Sequence, residues 1–275
     1  MGRRVAFDRL DEYGMMNGIR PELRPEAVIF DYGHTLGYEW EFNALRGMAA
    51  MLEHAVGNPL GVTAEQLAAK NAEMFSHLDN VIHPNFIELH HQIYLRALFE
   101  PLRLEFDVSY LALESILWDA AGPAKPMPGA VELIDHLNEN GYRTGVISNL
   151  TFSGEALTKR LNDILPRNRF EFVIASSDYG WRKPKSPMFG AALAKLGVSA
   201  ERVWYCGDSA EADVIGSAGA GITPVWVDSD IECYYRDRSR EKKPDCGYIY
   251  AKSLSEVAVL LGQCGGDGKL TGGKR

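Results

Sequence analysis

Four short segments carry the residues that could do chemistry. An apolar run, Ala27-Val28-Ile29-Phe30, stops at Asp31 and leads through Tyr32-Gly33-His34-Thr35 into a turn. The others are Ile147-Ser148-Asn149, Lys183-Pro184 and Cys206-Gly207-Asp208-Ser209. Two carboxylates facing across one crevice repel unless a cation lies between them, so Asp31 with Asp208 suggests a divalent ion with oxygen ligands, Mg²⁺. A carboxylate held against Mg²⁺ and a lysine stays ionised and can act as a nucleophile toward phosphorus. The Ser148 hydroxyl suits a phosphate oxygen, with Asn149 beside it, although both residues could instead cap the next helix. A fixed Lys183 ammonium would screen the repulsion between Asp31 and an anionic substrate. Asp213, five residues after Asp208, either meets the metal through water or caps the following helix, and the sequence leaves both open.

These residues converge only if the elements before them are parallel strands, because an open parallel sheet binds its ligands outside the carboxyl ends of its strands. The pattern supports this. Apolar runs at Val28–Asp31, Arg143–Ser148, Phe172–Ala175, Val203–Gly207, Thr223–Val227 and Tyr248–Ile249 alternate with amphipathic stretches. Helices are predicted near Ala130–Asn140, Gly154–Ile164, Pro187–Leu196, Ala210–Ala218 and Ser253–Leu261. Such alternation marks an α/β fold with a parallel sheet and helices on both faces.

Between about Gly37 and Lys125 the alternation stops. The stretch reads as helical almost throughout, with helices predicted at Glu41–Val56, Thr63–His77, Asn85–Phe99 and Tyr110–Ala121. An insert of this kind after the first strand suggests a cap standing over the strand ends. The expected division is therefore a core of residues 25–37 and 126–262, a helical cap of residues 38–125, an N-terminal extension of residues 1–24 and a disordered tail from residue 263 to 275.

With 275 residues, 46% hydrophobic and 24% charged, the chain can bury a sizeable core. A net charge of −8 argues against nucleic acid and anionic membranes as partners, since both favour a cationic surface. No apolar stretch approaches the roughly 20 residues that span a bilayer. The four cysteines (Cys206, Cys233, Cys246 and Cys264) form no CxxC pair, and Met1-Gly2-Arg3-Arg4 leads into charged residues; a cytoplasmic chain with reduced thiols is expected. Oligomeric state is not readable.

In order and spacing the four segments resemble the haloacid dehalogenase superfamily. Its pattern is Asp-x-Asp-x-Thr, then Ser or Thr, then Lys, then Gly-Asp-x-x-x-x-Asp. Here it reads Asp31-Tyr32-Gly33-His34-Thr35, Ser148-Asn149, Lys183-Pro184 and Gly207-Asp208 through Asp213. The resemblance implies a Rossmann-like core with an inserted all-helical cap. It implies Mg²⁺ held by Asp31, the backbone carbonyl of Gly33 and Asp208, with Thr35 and Asp213 supporting the site. It also implies attack by Asp31 on a small phosphorylated metabolite, giving an aspartyl-phosphate that is then hydrolysed.

Gly33 departs from the pattern. In family phosphatases the second Asp protonates the leaving alcohol, and such help is worth about 10²–10⁴-fold. His34, or a cap histidine (His77, His83, His90 or His91), is a candidate to replace it. Phosphonoacetaldehyde hydrolases of the family carry a small residue there and use a cap lysine, for which Lys70 is the candidate. A catalytically impaired, ligand-binding member is the remaining alternative. Tyr38, Trp40 and Phe42 either line the pocket or pack the cap on the core.

Overall fold

In the computed structural model, which describes residues 24–228, 231 and 243–264, the chain opens on β1 (Ala27–Phe30) and turns into a short strand β2 (Gly37–Glu39). Four helices follow: α1 (Ala44–Leu52), α2 (Ala64–Ile82), α3 (His91–Phe99) and α4 (Tyr110–Ala121). Two short strands lie among them, β3 (Ala55–Gly57) and β4 (Glu105–Phe106), paired antiparallel. Strand β5 (Ala124–Pro126) then pairs antiparallel with β2, Gly37 opposite Pro126 and Glu39 opposite Ala124, so that the insertion leaves and returns along one stem.

From there strands and helices alternate. The series is α5 (Ala130–Glu139), β6 (Arg143–Ser148), α6 (Gly154–Ile164), β7 (Val173–Ala175), α7 (Ser176–Tyr179), α8 (Pro187–Leu196) and β8 (Val203–Gly207). A π-helical turn, Ala210–Ile215, runs into α9 (Gly216–Gly219), and β9 (Thr223–Val227), β10 (Ile249–Ala251) and α10 (Leu254–Gln263) complete the fold. Six strands form one parallel sheet in the order β10-β9-β8-β1-β6-β7. Chain connections leave β1 and β8 toward opposite edges, which places a topological switch between them, the usual position of a ligand crevice.

Alternation along β1 builds both halves of the core. Val28 and Phe30 pack with Leu133, Leu157 and Val257 from α5, α6 and α10. Ala27 and Ile29 face the other way, onto Met188, Phe189 and Ala192 of α8. A third apolar cluster, with Met48, Leu95 and Leu117, holds the insertion together. The α/β class, with helices on both faces of a parallel sheet, is the one the sequence implies.

The insertion differs in detail from its sequence reading. The helix expected over Asn85–Phe99 begins only at His91, because Phe86 takes a left-handed backbone conformation (φ 55°) and the chain to His90 is extended. The helix expected over Glu41–Val56 ends at Leu52, and Ala55–Gly57 becomes a strand. Helix α2 runs on to Ile82. The N-terminal extension up to residue 23, the tail from residue 265 and Cys233 lie outside the described residues. No helix among the described residues is long and apolar enough to cross a membrane.

One buried residue fixes the stem. Arg160 of α6 donates to Glu39 Oε1 at 2.7 Å on β2 and to the Gly122 carbonyl at 2.7 Å ahead of β5. It also reaches Asp119 at 3.2 Å and lies 3.9 Å from the centre of the Trp118 ring.

Candidate active site

The register of the central strands brings the chemical residues together. Phe30 lies opposite Val146 on one side and Cys206 on the other, so Asp31, Ser148 and Asp208 emerge at one level. The Asp31 amide continues the ladder with a 2.9 Å bond to the Cys206 carbonyl. A cleft of about 500 Å³ opens there, lined by Asp31, Gly33, Ser148, Asn149, Lys183 and Asp208 at its floor. Glu39, Phe42, Trp118 and Phe152 form its wall toward the insertion. Of the linker aromatics, Phe42 and not Trp40 lines the cleft; Trp40 instead takes the Lys125 ammonium 4.3 Å from its ring centre.

Lys183 is the centre of the charge pattern. Its Nζ lies 2.6 Å from Asp213 Oδ1 and 3.0 Å from Asp31 Oδ1. It also donates to the Ile147 carbonyl at 3.0 Å and the Tyr205 hydroxyl at 2.7 Å. Burial works against its charge, but Asp213 and Asp31 outweigh that and hold its pKa above the ordinary lysine value. The ammonium is therefore a fixed, desolvated positive charge against Asp31.

Asp213 faces the lysine with one oxygen and the Ser209 amide with the other, at 2.9 Å. It gets there through the π-helical turn, in which the Val214 amide reaches back five residues to the Ser209 carbonyl at 3.2 Å. Gly207 makes the approach feasible, since a Cβ there would stand 2.3 Å from Asp213 Cγ. Of the two openings left by the sequence, the contact with the Ser209 amide is the capping one, and the ion pair to Lys183 is a third use that spacing did not reveal.

Asn149 lines the cleft and makes a further contact that the sequence does not show. Its Oδ1 accepts from the Lys183 amide at 2.7 Å and its Nδ2 donates to the Lys183 carbonyl at 3.1 Å. The side chain thus pairs with the Lys183 backbone as a strand would, and positions the lysine loop. Tyr205 was missed by sequence reasoning altogether. Its hydroxyl lies within 3.2 Å of Asp213 Oδ1 and 2.9 Å of the Ile147 carbonyl, yet in sequence it is one more apolar position of a strand. Burial, and then the Asp213 carboxylate, keep its phenol neutral.

The candidates for a proton donor fare differently. His34 is buried in a left-handed turn (φ 55°) and is not among the cleft-lining residues, because the one-residue offset from Gly33 sends its side chain elsewhere. Thr35 is buried beside it. His91 packs against Phe152 with ring centres 4.7 Å apart and planes tilted by 36°, and burial, with His90 adding, lowers its pKa to about 3. His90 caps α3 and lies 3.4 Å from Asp178. His77 and Lys70 line a different cavity, between α2 and the end of α3. The side chain of His83 lies outside the described residues.

The donor set fits a hard divalent cation. Asp31 and Asp208 line the cleft, and carboxylate oxygens of Asp31, Asp208 and Asp213 lie within 4.8 Å of one another, those of Asp213 being committed to Lys183 and the Ser209 amide. Oxygen-only donors such as Asp31 and Asp208 suit Mg²⁺.

A sequence model of the haloacid dehalogenase-like hydrolases matches residues 62–227. The chain is 28% identical over 138 residues to a glyceraldehyde 3-phosphate phosphatase of Methanothermobacter thermautotrophicus, covering 50% of this chain and 59% of that protein. It is 35% identical over 138 residues to the pyrimidine 5′-nucleotidase YjjG of Escherichia coli, covering 50% of this chain and 56% of that protein. The matches thus span little more than half the length of these relatives. In structure it resembles a HAD phosphatase from Thermococcus onnurineus (TM-score 0.56, 20% identity, 86% of this chain and 98% of that one). A 2-haloacid dehalogenase from Pseudomonas syringae pv. Tomato DC3000 is similar to the same degree (TM-score 0.55, 19% identity, 87% and 99%). At such identities the structural likeness speaks for the fold. On the family match, this chain belongs to the haloacid dehalogenase-like hydrolases.

Proposed function

We propose that the protein is a phosphatase of a small phosphorylated metabolite, with Asp31 as the nucleophile. The observation that carries this reading is the Lys183 ammonium, 3.0 Å from Asp31 Oδ1 and buried beside it in a cleft that also holds Ser148 and Asp208. The relatives described as phosphatases and a nucleotidase support it. Mg²⁺ would be held by Asp31, the Gly33 carbonyl and Asp208, and would supply charge neutralisation for an incoming phosphate.

In this reading an Asp31 carboxylate oxygen attacks phosphorus, the bond from phosphorus to the leaving oxygen breaks, and that oxygen departs with the electron pair. Lys183 and the Ser148 hydroxyl hold the phosphoryl oxygens as charge moves onto them. Water then attacks the aspartyl-phosphate and frees Asp31. Asn149 and Asp213 act through Lys183, the first by its backbone and the second by its ammonium. Asp31 and Asp208 share the cleft with one further carboxylate among the described residues, Glu39, which is committed to Tyr32 and Arg160.

The test is phosphate release from a panel of metabolite monophosphates with Mg²⁺. Release that requires Mg²⁺ and disappears in Asp31→Asn supports the assignment; release that survives that substitution removes it. Lys70 lines a cavity other than the one containing Asp31, so the structure offers no support for phosphonate cleavage through that lysine.

A further inference from the structure

The insertion is joined to the core along a second seam, far in sequence from the β2–β5 stem. The extended segment between α2 and α3 lies antiparallel to the loop ahead of Lys183, with Ile87 opposite Trp181. The Glu88 amide donates to the Gly180 carbonyl at 3.1 Å, and the Arg182 amide to the Phe86 carbonyl at 2.8 Å. A third main-chain bond, 2.8 Å, runs from the His91 amide to the Thr151 carbonyl on the loop after β6.

Glu88 sits at the middle of this seam with a fully buried side chain. Its Oε2 accepts from the Ser176 hydroxyl at 2.9 Å and pairs with the Arg182 guanidinium. Ser176 in turn receives the Leu150 amide at 2.9 Å. One carboxylate from the insertion thus ties the loop two residues beyond Ser148 to the loop one residue before Lys183. Glu114 of α4 makes a parallel contact, accepting from the Ser153 amide and hydroxyl, each at 2.8 Å, at the start of α6.

We propose that Glu88 is a positioning residue for the reaction, holding the two active-site loops in register along a seam that stays closed through turnover. Two buried carboxylates and three main-chain hydrogen bonds would all lose their partners if the insertion swung away here, and unpairing a buried charge is costly. The cleft borders the stem side as well, at Glu39 and Phe42, and Phe42 is 43% exposed there. Substrate enters and product leaves past Phe42, with the seam intact. A misplacement of a few tenths of an ångström at Lys183 acts on the bond-breaking geometry more than on binding. The kinetic part of this proposal rests on the phosphatase reading; the structural part does not.

Two variants test it. Glu88→Gln, assayed with p-nitrophenyl phosphate and Mg²⁺, is expected to lower kcat by about tenfold with KM within about twofold of wild type. In the same variant the Leu150 and Arg182 amides are expected to exchange hydrogen faster. Ile87→Cys with Trp181→Cys places a disulfide across a non-hydrogen-bonded antiparallel pair, where Cα atoms lie about 4.5 Å apart and a bridge can form. The oxidised form is expected to keep kcat within about twofold of its own reduced form. Oxidation that abolishes turnover, with recovery on reduction, would show that the seam must open. Unchanged kcat and unchanged amide protection in Glu88→Gln would show that Glu88 positions nothing. A wild-type protein that hydrolyses no monophosphate would remove the phosphatase reading alone, since amide exchange in Glu88→Gln still decides the role of Glu88.

Discussion

Asp213 approaches Lys183 more closely than Asp31 does, 2.6 Å against 3.0 Å, and both the lysine and Asp213 are buried. The charge of the lysine in the interior is therefore held first by Asp213 and second by Asp31, the nucleophile of the proposed reaction. Asp213→Asn leaves an ammonium with a weaker counter-charge, and losing one partner of a buried pair costs about 3–5 kcal/mol. The expected outcome is a lowered urea midpoint at pH 7 together with about a hundredfold loss of phosphatase activity. A variant of wild-type stability would show that Asp31 alone balances the charge.

Gly33 is not among the residues with a left-handed backbone, so its conformation is open to an aspartate. A general acid matters for a poor leaving group and hardly at all for a good one. Gly33→Asp is expected to raise kcat/KM for an alkyl phosphate by about 10–100-fold and to leave that for p-nitrophenyl phosphate within about threefold. An equal gain on both substrates would show that the new carboxylate acts otherwise than by donating a proton.

His91 links stability to pH. Its pKa falls from 6.5 in the unfolded chain to about 3 in the folded protein, so between those values the unfolded state binds the extra proton. Its neutral form is favoured by folding, the full benefit is present above pH 6.5, and it is lost as pH falls toward 3. Full loss is worth about 5 kcal/mol. His91→Phe, which keeps an aromatic ring against Phe152, is expected to flatten the decline of melting temperature between pH 6.5 and 4. An unaltered decline would assign the acid sensitivity to other groups.

Arg160 serves both linkers of the insertion, through Glu39 and the Gly122 carbonyl. Arg160→Leu leaves Glu39 partly buried without its cation and is expected to cost about 3 kcal/mol, read from chemical unfolding. Arg160→Lys should recover little of it, because one ammonium cannot reproduce the planar fork and the stacking on Trp118. Full recovery with lysine would reduce Arg160 to a point charge.

How much of this was legible in the sequence depended on whether a signal was local. Asp31, Ser148 and Asp208 follow apolar strands, and parallel strands in one sheet bring such ends together whatever lies between them. Lys183 was found by its place in a spaced pattern. Tyr205 was not, since a hydroxyl that satisfies a buried lysine looks in sequence like any aromatic strand residue. The pairing of Asn149 with the lysine loop was not legible, because its partner is the backbone of a residue 34 positions away. Glu88 and Arg160 were invisible for the same reason. The helix that failed to start at Asn85 shows the tertiary pairing with Trp181 prevailing over local pattern.

The π-helical turn between Ala210 and Ile215 has a consequence for how the chain tolerates changes of length. A wider turn carries one residue more than an ordinary helical turn would, and that residue is what brings Asp213 round onto Lys183. Deleting a single alanine there would regularise the helix and at the same time rotate the carboxylate off the lysine. A one-residue deletion at Leu60, exposed in a loop of the insertion, would disturb the turn that Asn58 closes onto Val62 and leave the surroundings of Lys183 untouched. Two deletions of equal size would thus differ in kind, one altering a tether and the other disarming the lysine.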